Sequence, residues 1–362
     1  MKIPFLDLLR LNRSQSTELN RIFERTLLNE QLLGGKPVKE FEVNFANYLD
    51  TRHCISCGNG TDALEIILRA MGIGPGDEVI VPANGWLSAA EMVKLVHATP
   101  VFADSHERSY TLDPKRIETS ISRKTKAIIP IHLYGYPADM PAIMKIAEKH
   151  KLLVIEDCAQ AHGTSVHGRK VGSWGHAAAF SFYPTKNLGA LGDAGAMVMH
   201  DDDLADKCRM IANHGQTIRD KHLRLGRNSR MDTLQAGVLD YRLRMLDGKN
   251  QKRRTLAVLY RKKLEGLPLK LPVESASFYH VYHLFVVRTN QRGALLQHLQ
   301  NKGIGTMIHY PQAVSEMEHL NPCEAPVAAR QSQEILSLPL YPELTEQEVM
   351  QVSAEIRSFF NA

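Results

Sequence analysis

The sequence predicts an α/β protein whose mostly parallel sheet is covered by helices on both faces, followed by a smaller C-terminal α/β unit. Three observations carry this. Short apolar runs alternate with amphipathic stretches from residue 50 to 200, which is the pattern of strand and helix taking turns. After about residue 245 the texture changes to a long basic helix and shorter elements. The chain has 362 residues, 44% hydrophobic and 23% charged, enough to bury a large core. We therefore expect a large N-terminal domain over residues 1–245 and a smaller one over 246–362. Disorder, collagen-like repeats and disulfide-stapled mini-proteins are excluded.

Taken in order, residues 15–28 have a helical pattern that packs on one of the two domains. The runs 78–82, 99–104, 125–131 and 152–157 are short, β-branched and apolar, and read as buried strands. Between them, 61–71, 88–97, 114–121 and 140–149 have helical spacing. Two more strands, 177–182 and 194–200, flank a Gly-rich loop. Beyond them come a basic helix at 246–264, a strand at 282–288, and helices at 292–302 and 345–360.

Charge and cysteines narrow the function. Lys plus Arg number 44 against 39 Asp plus Glu, a net of +5 that lacks the clustering of a nucleic-acid binder. The densest basic stretch, Arg219 to Arg230, is read as a solvated helix face or as a site for an anionic small molecule, as is the run Lys249, Lys252, Arg253, Arg254. No stretch approaches a membrane span or a signal peptide, so a soluble, cytoplasmic enzyme is expected. Five scattered cysteines form no disulfide framework. Cys54 and Cys57 have no second pair to complete a zinc site, and no metal is expected.

In an open α/β sheet, ligands gather at the carboxyl ends of the strands, and three loops there are unusual. In the first, Gly58-Asn59-Gly60-Thr61-Asp62 runs straight into a helix; its amides and the Thr61 hydroxyl make a phosphate seat, unless Thr61 or Asp62 is only an N-cap. The second follows the strand ending Ile155-Glu156-Asp157, before Cys158-Ala159-Gln160-Ala161-His162. A buried Asp157 demands a cation, either a protonated ring nitrogen or a neighbouring His162 or Arg. The third places a single lysine, Lys186, between a buried strand and small residues, surroundings that lower an amine's pKa as Schiff-base chemistry requires. A phosphate seat, a buried acid and an activated lysine together meet the needs of pyridoxal phosphate (PLP).

The segments Gly60-Thr61-Asp62-Ala63-Leu64, Glu156 to Gly163, Ser181-Phe182-Tyr183-Pro184-Thr185-Lys186-Asn187-Leu188-Gly189 and Asn228-Ser229-Arg230-Met231-Asp232 resemble those of the DegT/DnrJ/EryC1/StrS sugar aminotransferases, in the PLP-dependent transferase fold type I. The likeness runs from Ile3-Pro4-Phe5-Leu6-Asp7 to Ile308-His309-Tyr310-Pro311. It implies that Lys186 links covalently to the cofactor and shuttles the substrate proton, and that Asp157 pairs with the pyridine nitrogen. It further implies that Gln160 bonds near the phenolic oxygen and that Gly60, Thr61 and Ser181 hold the phosphate. Asn228 resembles the residue that reaches the phosphate from the neighbouring subunit, which implies a homodimer with shared active sites. Where relatives carry Asn-Thr and then Tyr or Phe, this chain has Asn84-Gly85-Trp86; Trp86 is expected to stack on the pyridine face.

The reaction implied is a ping-pong transfer from L-glutamate, through pyridoxamine phosphate, to a nucleotide-linked keto sugar, in amino-sugar synthesis for lipopolysaccharide or another glycan. Related sugar 3-dehydratases carry histidine where Lys186 stands, so dehydration is not expected. The Lys186 loop resembles most the subgroup acting at C3 of dTDP-3-keto-6-deoxyhexoses; C4 or UDP-sugar amination and a non-catalytic PLP-binding regulator are the alternatives. Candidate substrate contacts are Tyr183, Arg219 and Arg224, with Arg227 and Arg230 beside them, and His309 and Tyr310 on a strand-like segment.

Overall fold

Strands too apolar to face water and helices with one apolar stripe assemble into a covered sheet in a computed structural model, which describes residues 2–28 and 32–361. The chain begins with helices α1 (Leu8–Ser14), α2 (Ser16–Leu27) and α3 (Gly35–Leu49). Then follow β1 (His53–Cys57), α4 (Gly60–Ala70), β2 (Glu78–Pro82), α5 (Ser88–Leu95), β3 (Thr99–Ala103), α6 (Pro114–Thr119), β4 (Thr125–Ile128), α7 (Met140–His150) and β5 (Leu153–Asp157). After the short β6 (Ser165–Val166) and β7 (Arg169–Lys170) come β8 (Ala177–Ser181), β9 (Gly195–Met199), α8 (Asp202–Ala212), β10 (Gln216–Ile218), β11 (Lys221–His222) and α9 (Thr233–Leu243). The last part holds α10 (Leu246–Leu264), β12 (Phe278–Tyr279), β13 (Phe285–Arg288), α11 (Arg292–Asn301), α12 (Pro326–Glu334), β14 (Ile335–Leu338) and α13 (Glu346–Asn361).

Seven strands form the main sheet in the order β1-β9-β8-β5-β4-β2-β3, and only β9 runs against the rest. Side chains alternate across it as strand geometry requires. Ala177 and Ala179 of β8 face a cluster with Leu64, Ile67 and Met92, whereas Ala178 and Phe180 face one with Phe41 and Phe45 of α3. The alanines let α4 close on β8: a Cβ on Gly60 would stand 2.7 Å from Ser181 Cβ, so only glycine fits there. A third cluster joins α10, α11, α13, β13 and β14, and takes in Ile3 from the amino end.

Several expectations need correction. The stretch 219–230 is no helix: it contains the turn of the β10–β11 hairpin and an irregular return. In the other basic run, Arg253 is buried on α10 and donates to the carbonyls of Tyr282, His283 and Leu340, so it ties two interior segments together instead of facing water. The expected strand at 282–288 starts only at Phe285, because Tyr282 has a left-handed φ of 48°. His309 and Tyr310 lie on an irregular segment tied down by isolated bridges, Ile304 to Ile3 and Met307 to Ser337. The N-cap of α4 is Asn59, whose side chain accepts from the Asp62 amide at 2.8 Å, so neither Thr61 nor Asp62 has that role. Cys54, Cys57, Cys158 and Cys208 are free and buried.

Glu156 on β5 is fully buried and accepts from His132 Nε2 at 3.0 Å and from the amides of Gly172, Trp174 and Gly175 at 2.8–2.9 Å. His132 Nδ1 accepts from the Ala138 amide, which leaves Nε2 as the protonated nitrogen. Cys158 lies close enough to these two groups for a metal to be considered, but the Glu156 oxygens are already occupied by four donors. Truncation would orphan all four. Glu156→Ala is expected to cost about 3–5 kcal/mol and lower the unfolding temperature by about 5 °C or more. A thermal melt within a degree of the parent would contradict this.

Candidate active site

The first helix turn after β1 provides the seat expected there. The amides of Gly60 and Thr61 make no hydrogen bond among the described residues, and Thr61 Oγ1 lies 3.2 Å from Ser88 Oγ. Ser181, at the end of β8, borders the same point, since it is what a Gly60 Cβ would strike. Free amides at a helix N-terminus and three hydroxyls suit a phosphate dianion. Ser88 was not foreseen; its only signal is a hydroxyl at the start of α5.

Behind the seat, β5 and β8 lie side by side in parallel, with Asp157 paired to Ala179. Asp157 is buried, and its Oδ1 accepts from the Ala159 amide at 3.0 Å. Burial raises its pKa, against the opposing pull of that amide, Lys186 and His132. The Lys186 ammonium is destabilised in the same way: burial brings its pKa down to about 8, and Asp157 only partly restores it. In both groups desolvation outweighs their mutual attraction. Among the described residues Asp157 has no salt-bridge partner, so the alternative of a neighbouring His162 or Arg as its counter-ion fails.

Three imidazoles surround the lysine electrostatically and all stay neutral at pH 7. Burial, and then the charge of Lys186, hold His162 at about 3 and His309 at about 4. His283 lies well below its ordinary value for the same two reasons, helped by Arg253 and by His309 and His162. Lys186 is thus the group of this set that can exchange a proton near neutrality. Its neighbour Asn187 accepts from His283 Nδ1 at 3.0 Å and donates to Asn250 Oδ1 at 2.9 Å, which ties the lysine loop to α10.

Gln160 is buried, accepts from the Tyr134 amide at 2.7 Å and donates to Tyr310 Oη at 3.1 Å. Trp86 is 53% exposed and stands 5.3 Å from the Tyr310 ring, so it is no core residue; its face is open at the rim. His309 Nδ1 lies 2.9 Å from Ser337 Oγ, and Tyr183 is exposed beside the Lys186 loop.

The arginines divide. Arg219 and Arg224 are exposed on and after the hairpin, as are Asn228 and Arg230. Arg227 turns inward to Asp62, at 2.8 Å, and to Glu65, while Ser229 donates to Asp62 at 2.6 Å and accepts from the Gly58 amide. Arg227 is therefore removed from the substrate contacts. It and Ser229 staple this strip to the start of α4 and leave Asn228 facing outward.

A donor-rich dianion seat, a buried acid and a desolvated amine fit the phosphate, ring nitrogen and aldehyde of PLP. Gly60→Ala is expected to weaken PLP binding at least about tenfold, since the new methyl pushes α4 off Ser181 at the seat. A fluorescence titration giving the parent dissociation constant would contradict this.

Comparison with known proteins agrees with this geometry. The family model described as DegT/DnrJ/EryC1/StrS aminotransferase matches residues 13–357. The chain is 42% identical over 368 residues to a dTDP-3-amino-3,4,6-trideoxy-alpha-D-glucose transaminase of Streptomyces venezuelae, covering 99% of this chain and 96% of that one. It is also 42% identical over 358 residues to a UDP-N-acetyl-3-dehydro-alpha-D-glucosamine 3-aminotransferase of Acidithiobacillus ferrooxidans, covering 98% and 97%. The crystal structure of S. venezuelae DesV in complex with a ketimine intermediate superposes with a TM-score of 0.97 at 41% identity, over 99% of both chains. The chain is thus a PLP-dependent enzyme that belongs to the DegT/DnrJ/EryC1/StrS aminotransferase family.

Proposed function

We propose that the enzyme moves the amino group of L-glutamate to C3 of a dTDP-linked 3-keto-6-deoxyhexose. The observation that carries the reaction type is the placing of Lys186, on the loop after β8, within electrostatic reach of buried Asp157 at the end of the neighbouring β5, with desolvation bringing the amine's pKa down to about 8. The sugar and its C3 position rest on the activities of the two relatives at 42% identity, both of which concern a 3-amino group. That one acts on a dTDP sugar and the other on a UDP sugar keeps the UDP alternative open to test.

In this reading Gly60, Thr61, Ser88 and Ser181 hold the phosphate, Asp157 holds the ring nitrogen protonated, Gln160 faces the phenolic oxygen and Trp86 covers the ring. Bound PLP supplies an electron sink and a temporary carrier for the amino nitrogen. Lys186 Nζ takes the proton from the donor's α-carbon and later delivers one to the sugar carbon. Neutral His162, His283 and His309 add no competing charge, so the proton stays on one carrier. His309, Tyr310 and Tyr183 border the sugar. Two subunits complete the site, with Asn228 of each reaching the other's phosphate and Arg219 and Arg224 meeting the diphosphate. We take residues 1–245 and 246–362 as two domains closing on the site, in a cytoplasmic homodimer. No helix among the described residues is long and apolar enough to cross a membrane.

The test is spectroscopic. The visible band of the loaded enzyme should bleach with L-glutamate and return with the dTDP 3-keto sugar, and NMR should place nitrogen at C3. A band indifferent to both, or nitrogen at C4, would overturn the proposal. The variant R219A/R224A is expected to raise the sugar nucleotide's KM about tenfold with kcat within about twofold. An unchanged KM would remove these arginines from the site.

A further inference from the structure

We infer that Tyr134 is a positioning residue that couples the cofactor-side glutamine to the sugar-side segment. The role rests on the reading proposed above. Tyr134 is buried in the turn between β4 and α7 and has φ 60°, ψ 7°. The left-handed region is unfavourable for a side-chain-bearing residue, and glycine would occupy it freely. A tyrosine held there points to work done by its side chain.

Three bonds define that work. The Tyr134 amide donates to Gln160 Oε1 at 2.7 Å. An amide N–H can only donate, so this contact fixes which end of the glutamine is oxygen and turns its NH2 toward Tyr310, 3.1 Å away. The Tyr134 hydroxyl donates to the carbonyl of His309, and its own carbonyl accepts from the Leu284 amide at 3.3 Å, just before β13. The ring packs edge-on against Tyr110 at 5.5 Å, which fixes the hydroxyl's direction. One residue thus holds Gln160 by its backbone and His309 by its side chain, closing a loop through Tyr310. Removing only the hydroxyl should free the His309–Tyr310 segment while leaving Gln160, Asp157 and Lys186 in place.

The experiment compares Tyr134→Phe with a control two residues away, Tyr136→Phe, whose hydroxyl is outside this loop. In the cofactor-free protein, backbone hydrogen exchange across residues 307–312 should speed up at least about fivefold in Tyr134→Phe and stay at the parent rate in the control. In the loaded enzyme, the KM of the keto-sugar half-reaction should rise about tenfold, with the L-glutamate half-reaction within about twofold. Parent-like exchange in Tyr134→Phe, equal slowing of both half-reactions, or the same phenotype in Tyr136→Phe would overturn the inference. If the parent enzyme fails to react with L-glutamate, the proposed function falls, while the exchange comparison still decides the role of Tyr134.

Discussion

Desolvation of one amine and one carboxylate that feel each other's charge, at the carboxyl edge of a mostly parallel sheet, is the constraint around which this molecule is arranged. Each charge alone is expensive away from water, and the pair does not fully repay the cost, so Lys186 is pushed down and Asp157 up. The surroundings have to tolerate that imbalance. They do so with neutral imidazoles, a backbone amide on Asp157 and a lysine loop tied through Asn187 to His283 and Asn250. A bound anionic cofactor with a basic ring nitrogen is the chemical complement of what is left over.

Two adjacent acids show how the sheet assigns roles. Glu156 and Asp157 are neighbours on β5, so their side chains leave on opposite faces. Glu156 goes to the covered face, where three amides and His132 satisfy it, and its work is to hold the turn at 172–175 and the β4–α7 connection. Asp157 goes to the loop side and keeps one protein donor among the described residues, Ala159. The difference between a structural and a functional carboxylate is here a count of donors.

Local signals carried much of this. Strand 78–82 and helix 246–264 coincide with β2 and α10 because apolar runs bounded by turn residues, and long helical spacing, are decided within a few residues. Lys186, Asp157 and the Gly60 turn were legible because each breaks a local rule: a charge at a buried strand end, or a glycine before a helix. What was not legible depends on distant partners. The 219–230 stretch has helix-compatible spacing, yet Arg227 is drawn to Asp62 and Glu65, about 160 positions earlier, and the chain turns to allow it. Tyr134 looks like an ordinary turn aromatic until Gln160 and His309 are placed on either side of it.

A single desolvated pocket shared by Lys186 and Asp157 is what this chemistry requires. It is tested most directly by the pH dependence of amine labelling at Lys186 in the cofactor-free protein, read by mass spectrometry for the parent and for Asp157→Asn. A shared pocket predicts a midpoint near 8 in the parent and a lower one in the variant, since Asp157 is what holds the ammonium up. A parent midpoint at the ordinary lysine value of 10.5, or one that does not move on losing Asp157, would contradict it.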